Sequence, residues 1–207
     1  LHNILGAAYA GLKKFPESLS SFEQSLQLEP ENPDTHNNIG NVAKKNGDFK
    51  RALSCYRRVI TLDPNYLEAY FNMGNTFMAM NCYNDAIAQY CQCLKINGNY
   101  FPASMNLGKA YDLLGDSTAA EETYKQQLKI NPESIESMLA MGALLLDDDR
   151  LPEAIIFFEK ATNQSKDPNH HNMVKECIGK YHMTRNEYAD AYEYLKDLTD
   201  HDSISNT

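Results

Sequence analysis

A chain of 207 residues with 43% hydrophobic content can bury a core unaided, and its formal charge of −9 argues against general nucleic-acid binding, which needs a positive footprint. That acidic balance mildly favours protein partners with basic segments. The longest apolar run, Met138 to Leu146, falls well short of the ~18–20 residues that span a bilayer, so no membrane insertion is expected.

The chain begins at Leu1, inside what should be a first helix, and an excised piece of a longer protein is expected. Its five cysteines, Cys55, Cys82, Cys91, Cys93 and Cys177, are odd in number and irregularly spaced. They read as reduced thiols in a cytoplasmic compartment, not as a disulfide framework.

In chain order, the first helical stretch carries Leu5-Gly6 and Tyr9, and the second starts at Pro16 and steps through Leu19, Phe22 and Leu26 at helical spacing. The next unit opens at Pro33 and contains Asn37-Asn38-Ile39-Gly40-Asn41, a turn at Asn46-Gly47-Asp48, then Ala52, Tyr56 and a stop at Asp63-Pro64. Glycine and asparagine tolerate the left-handed backbone that ends a helix, aspartate caps the next, and proline cannot continue one. The pattern returns as Phe71-Asn72-Met73-Gly74-Asn75, and again as Met105-Asn106-Leu107-Gly108-Lys109. Gly6, Gly40, Gly74, Gly108 and Gly142 lie 34 residues apart, and Gly179 follows after 37. The lengthened step falls around Ser165–Asn172 and predicts a longer loop or an extra helical turn. Asp147-Asp148-Asp149 reads as a cap at the next helix start. The sixth unit is rich in tyrosine, with Tyr181, Tyr188, Tyr192 and Tyr194. A fixed period of this length marks stacked repeats.

These residues resemble the tetratricopeptide repeat family. The resemblance implies an all-α fold: a right-handed superhelical solenoid of about six helix–turn–helix repeats, which usually binds peptides on its concave face. A single array is expected over 1–198, with units at about 1–32, 33–66, 67–100, 101–134, 135–168 and 172–198, then a polar tail over 199–207. The asparagine pattern is similar to the arrays of O-linked N-acetylglucosamine transferases and of kinesin light chains. The chaperone-tail clamp of some family members needs Lys and Arg at defined groove positions, where this chain has Asn3, Ala7, Glu68 and Phe71.

In this family the first helix of each unit lines the groove, so Asn38, Asn72 and Asn106 form one row, and Asn41, Asn75 and Lys109 a second row one turn on. An amide offers donors and an acceptor to an extended backbone. Three amides making two bonds each, at ~0.5–1.5 kcal/mol net apiece, give roughly 3–9 kcal/mol before association costs. Phe71, Lys45 and Asp112, with Tyr70 and Lys44, are candidates for reading side chains. In unit five the groove wall is apolar: Leu139, Ala143 and Leu146. The alternative reading is that the asparagines bridge neighbouring helices and stiffen the array.

No catalytic constellation is found, so the fragment is read as a non-catalytic protein-interaction module with no cofactor. Two further readings stand beside it: the substrate-selecting arm of a larger enzyme such as a glycosyltransferase, and a structural subunit of an assembly. Self-association through the ends of the array is a further alternative. His170, His171, Cys177 and His182 fit no closed zinc-ligand spacing, and no metal is expected.

Overall fold

The computed structural model describes residues 1–196 and 198. The tail at 199–207 lies outside the described residues. The chain divides into two compact units, Leu1–Leu114 and Gly115–Thr207, and every described element is helical.

The first unit holds three helical hairpins and a seventh helix: α1 His2–Gly11, α2 Phe15–Leu28, α3 Pro33–Lys45, α4 Phe49–Leu62, α5 Leu67–Ala79, α6 Tyr83–Ile96 and α7 Phe101–Leu114. The turn chemistry read in the sequence is present. Asp48 accepts the Arg51 amide at 3.0 Å and caps α4, and Gly47 takes the left-handed conformation at φ +80°. The helices stop as the prolines and asparagines require. Asp63 and Asn97 turn extended, and their side chains accept the amides of Asn65 and Asn99, at 2.9 and 3.1 Å.

The core of this unit is laid down repeat by repeat. Tyr56, Val59, Ala52, Ala69 and Met73 make one cluster across α4 and α5, and Tyr90, Cys93, Ala86, Ala103 and Leu107 make the next across α6 and α7. Burying each large side chain contributes roughly 1.5–3 kcal/mol. The glycines exist for these rings. A Cβ on Gly40 would stand 2.5 Å from the Tyr56 ring, and one on Gly74 2.5 Å from Tyr90. Gly6 meets Phe22 in the same way. The aromatic therefore fills the gap within its own hairpin as well as facing the next.

The second unit comprises α8 Ser117–Ile130, α9 Ile135–Asp147, α10 Leu151–Gln164, α11 Pro168–Thr184 and α12 Tyr188–Leu195. The glycine contact recurs between Gly142 and Phe158, and between Gly179 and Leu195. The lengthened step becomes an extra turn of helix: α11 has 17 residues where α9 has 13. The aspartate run behaves differently from a cap. The N-cap of α10 is Arg150, whose side chain makes no capping bond to a helix amide. Asp149 adopts the left-handed conformation at φ 63° and turns to another element: Tyr181 donates its hydroxyl to Asp149 at 2.6 Å, and Arg185 pairs with the same carboxylate. Buried Gln127 occupies the position where the other repeats place a smaller residue.

Candidate functional site: an amide ladder in the first unit

All nine residues expected to meet a ligand lie in the first unit, on α3, α5 and α7. Helical spacing puts Asn38, Asn41 and Lys45 along one side of α3, and these three line a cleft of about 290 Å³ with Ala7, Ala10, Gly11, Phe22 and Val42. Lys45 is exposed there, and Lys44 beside it is half-buried. Burial, and then the Lys45 charge, pull the Lys44 ammonium below the ordinary lysine value.

Each of the three first-row amides is tied to an asparagine on the preceding first helix. Asn38 donates through Nδ2 to Asn3 Oδ1 at 3.2 Å, Asn72 to Asn37 Oδ1 at 3.2 Å, and Asn106 to Asn75 Oδ1 at 2.8 Å. These bonds join α1 to α3, α3 to α5, and α5 to α7. The row is thus a set of rungs between successive first helices. Asn38 and Asn72 each keep a second N–H and a carbonyl oxygen for a further partner, while Asn106 also hydrogen-bonds to the Tyr90 hydroxyl and keeps its carbonyl oxygen.

The second row has a role the sequence reading did not anticipate. The Tyr56 hydroxyl donates to Asn41 Oδ1 at 2.8 Å, and the Tyr90 hydroxyl to Asn75 Oδ1 at 2.8 Å. The residue after each glycine thus satisfies the phenol that lies on that glycine. Burial pushes both phenols above the ordinary tyrosine value. A signal for this was available. Where the glycine is followed by alanine, at Ala7 and Ala143, the ring sixteen residues after the glycine is phenylalanine, Phe22 and Phe158, which has no hydroxyl to satisfy.

The remaining candidates divide. Lys109 is exposed and Asp112 half-buried. Phe71 packs edge-on against Tyr100 at 5.4 Å and lies 6.1 Å from Tyr90, so its ring faces α6 and the start of α7. Tyr70 donates to the Pro64 carbonyl at 3.2 Å.

A second cleft, also of about 290 Å³, belongs to the second unit. Ala143 and Leu146 are the apolar part of its lining, and Leu139 is buried in the core. Cys177, Lys180, Tyr181 and Arg185 complete it, and Arg185 lies over the Tyr181 ring at 4.2 Å. Burial raises the Cys177 thiol above its ordinary value. None of the five cysteines is paired.

Paired helices of about fourteen residues, closed by a glycine under an aromatic ring and repeated at a constant step, define a helical-hairpin repeat protein. Tetratricopeptide repeat models match residues 33–66, 55–88 and 101–134, and a TPR repeat model matches 6–47. The chain belongs to the tetratricopeptide repeat family. Solved structures with the same fold include MamA from Desulfovibrio magneticus, at 20% identity, TM-score 0.71, and coverage of 79% of this chain and 92% of that one. A thermophilic TPR protein of Thermus thermophilus is 24% identical, with TM-score 0.65 and coverage of 86% and 97%. PilF of Pseudomonas aeruginosa is 18% identical, with TM-score 0.72 and coverage of 95% and 90%. At these identities the likeness concerns the fold. No curated protein matches the chain. Among the described residues, no helix is long and apolar enough to cross a membrane.

Proposed function

We propose that this chain is a non-catalytic protein-interaction module that holds an extended segment of a partner along α3, α5 and α7. The observation that carries the reading is the unspent hydrogen-bonding capacity of Asn38 and Asn72, which the carbonyl oxygen of Asn106 continues along the row. The rungs fix where the three side chains stand, so little rotamer entropy remains to be lost when a ligand backbone meets them. Asn41 and Lys45 extend the surface on α3, and Lys109 does so on α7, with Asn75, Phe71 and Asp112 at its margins. The two lysines favour carboxylates on the bound segment at either end of the row.

The test is a capture of partners from native lysate with wild-type chain and with Asn38→Ala/Asn72→Ala/Asn106→Ala. Equal helical content and melting temperatures within a few degrees are required first, because the same change removes three rungs. Loss of a partner with the triple variant, and its weakening in Lys45→Ala/Lys109→Ala, is the expected result. Retention of every partner by both folded variants would assign the ladder to stiffness alone.

A further inference from the structure

The last hairpin contains a second cluster of chemistry. His182 stands in the final turn of α11, Glu187 is the N-cap of α12, and Asp190 lies in the first turn of α12. One donor atom from each, an imidazole nitrogen and two carboxylate oxygens, falls within 4.8 Å of the others. We propose that these three side chains bind a divalent transition-metal ion of the zinc type, clamping α12 to α11.

The local fold brings the donors together for reasons of its own. Asn186 takes the left-handed conformation at φ 61°. The His182 carbonyl accepts the amides of both Arg185 and Glu187, at 3.1 and 3.0 Å. The chain therefore reverses tightly enough to return Glu187 to the histidine it has just left. Glu187 and Asp190, three apart, share one face of α12.

The imidazole is held before any ion arrives. Its ring stacks on Tyr194 at 5.7 Å with 14° between the planes, and meets Tyr181 edge-on at 5.4 Å. Only 11% of the side chain is exposed, and Nδ1 lies 2.6 Å from Glu187 Oε2. The carboxylate side is open, since Glu187 and Asp190 are both exposed. A rigid nitrogen ligand beside two adjustable oxygen ligands, with room for water, is a three-ligand open site.

The donor set selects the ion. An imidazole with two carboxylates suits zinc, cobalt or nickel, whereas calcium and magnesium prefer oxygen alone. Around tetrahedral zinc, ligand atoms stand about 3.4 Å apart, a spacing that small changes in the two carboxylate rotamers would reach. The grouping differs from the histidine–cysteine set suggested by sequence proximity: His170 is engaged with Ser165 at 2.6 Å, and Cys177 lines the cleft beside α9.

The experiment strips the 207-residue chain with chelator and titrates it with cobalt(II) chloride, following the visible d–d absorption and then displacement by zinc. One cobalt ion per chain is expected, with a zinc-dependent rise in melting temperature. Asp190→Asn and Glu187→Gln, which leave the tyrosine packing in place, should each weaken binding by about tenfold or more. Cys177→Ser/His170→Ala/His171→Ala should bind as wild type. Absence of uptake at millimolar cobalt, or uptake unaffected by both carboxamide variants, would overturn the site and leave a histidine–glutamate hydrogen bond closing the turn.

Discussion

At the scale of single residues, the decisive quantity is the space above each glycine. Gly74 and Gly11 both sit in helices, yet a Cβ on Gly74 would meet the Tyr90 ring at 2.5 Å, while one on Gly11 meets nothing within 4 Å. The same residue type therefore has opposite consequences when replaced. Gly74→Leu should wedge α5 from α6 and cost ~1–3 kcal/mol or more. Gly11→Ala should be neutral or stabilising by up to about 1 kcal/mol, through helix propensity. Thermal melts of the two variants check both signs, and an unchanged midpoint for Gly74→Leu would sink this account of the packing. The glycine spacing was legible in the sequence. The object it accommodates was not, because Ala52 is as plausible a neighbour for Gly40 as Tyr56 until the hairpin is seen closed.

At the scale of the element, α3–α4 and α5–α6 are each a pair of helices joined through one polar contact as well as an apolar face. In α3–α4 that contact is the Tyr56 hydroxyl on Asn41. Removing only the hydroxyl, or only the amide, leaves its partner unsatisfied, at about 1–3 kcal/mol for a buried group. Removing both should cost less than the sum. The chain already contains the fully apolar version in α9–α10, where Phe158 lies on Gly142 and Ala143 follows. A double-mutant cycle of Tyr56→Phe and Asn41→Ala should return a favourable coupling of about 0.5–1.5 kcal/mol, and additivity would mean the bond contributes nothing. Between α8 and α10 the link is ionic instead. Arg150 reaches Glu121 at 2.7 Å and also pairs with Glu153. Arg150, then Lys125, holds the Glu121 carboxyl below the ordinary glutamate value. A carboxylate depressed in the folded state contributes stability above its unfolded value near ~4.3, and that contribution is lost as pH falls through the lower folded value. Arg150→Met should flatten the dependence of melting temperature on pH between about 5 and 3. A slope equal to that of wild type would exclude the pair as its source.

At the scale of the whole molecule, reading the sequence forward succeeds where one physical rule acts alone, and fails where two compete for a side chain. Helix ends at Asp63, Asn97 and Asn131 were predictable, because nothing else claims those residues. The asparagine rows are harder, since an amide can serve a ligand, a neighbouring helix or a phenol. Spacing alone does not rank the three, and Asn75 serves two at once, accepting from both Tyr90 and Asn106. Asp149 is similar: its charge suited a helix cap, but the Tyr181 hydroxyl on α11 and the guanidinium of Arg185, just past the end of α11, hold its carboxylate instead. Two joints between hairpins, α4–α5 and α6–α7, are by contrast chemically alike. The Tyr66 amide donates to Asp63 and the Ala69 amide to Tyr66; the Tyr100 amide donates to Asn97 and the Ala103 amide to Tyr100, all four bonds at 3.1 Å. A chain cut after Tyr66 and resumed at Phe101 would cross the same tyrosine joint it crosses now, and a chain copying 67–100 would cross it once more. Gain or loss of this one module would thus lengthen or shorten the row of amides by one step while leaving the tyrosine joint chemically unaltered.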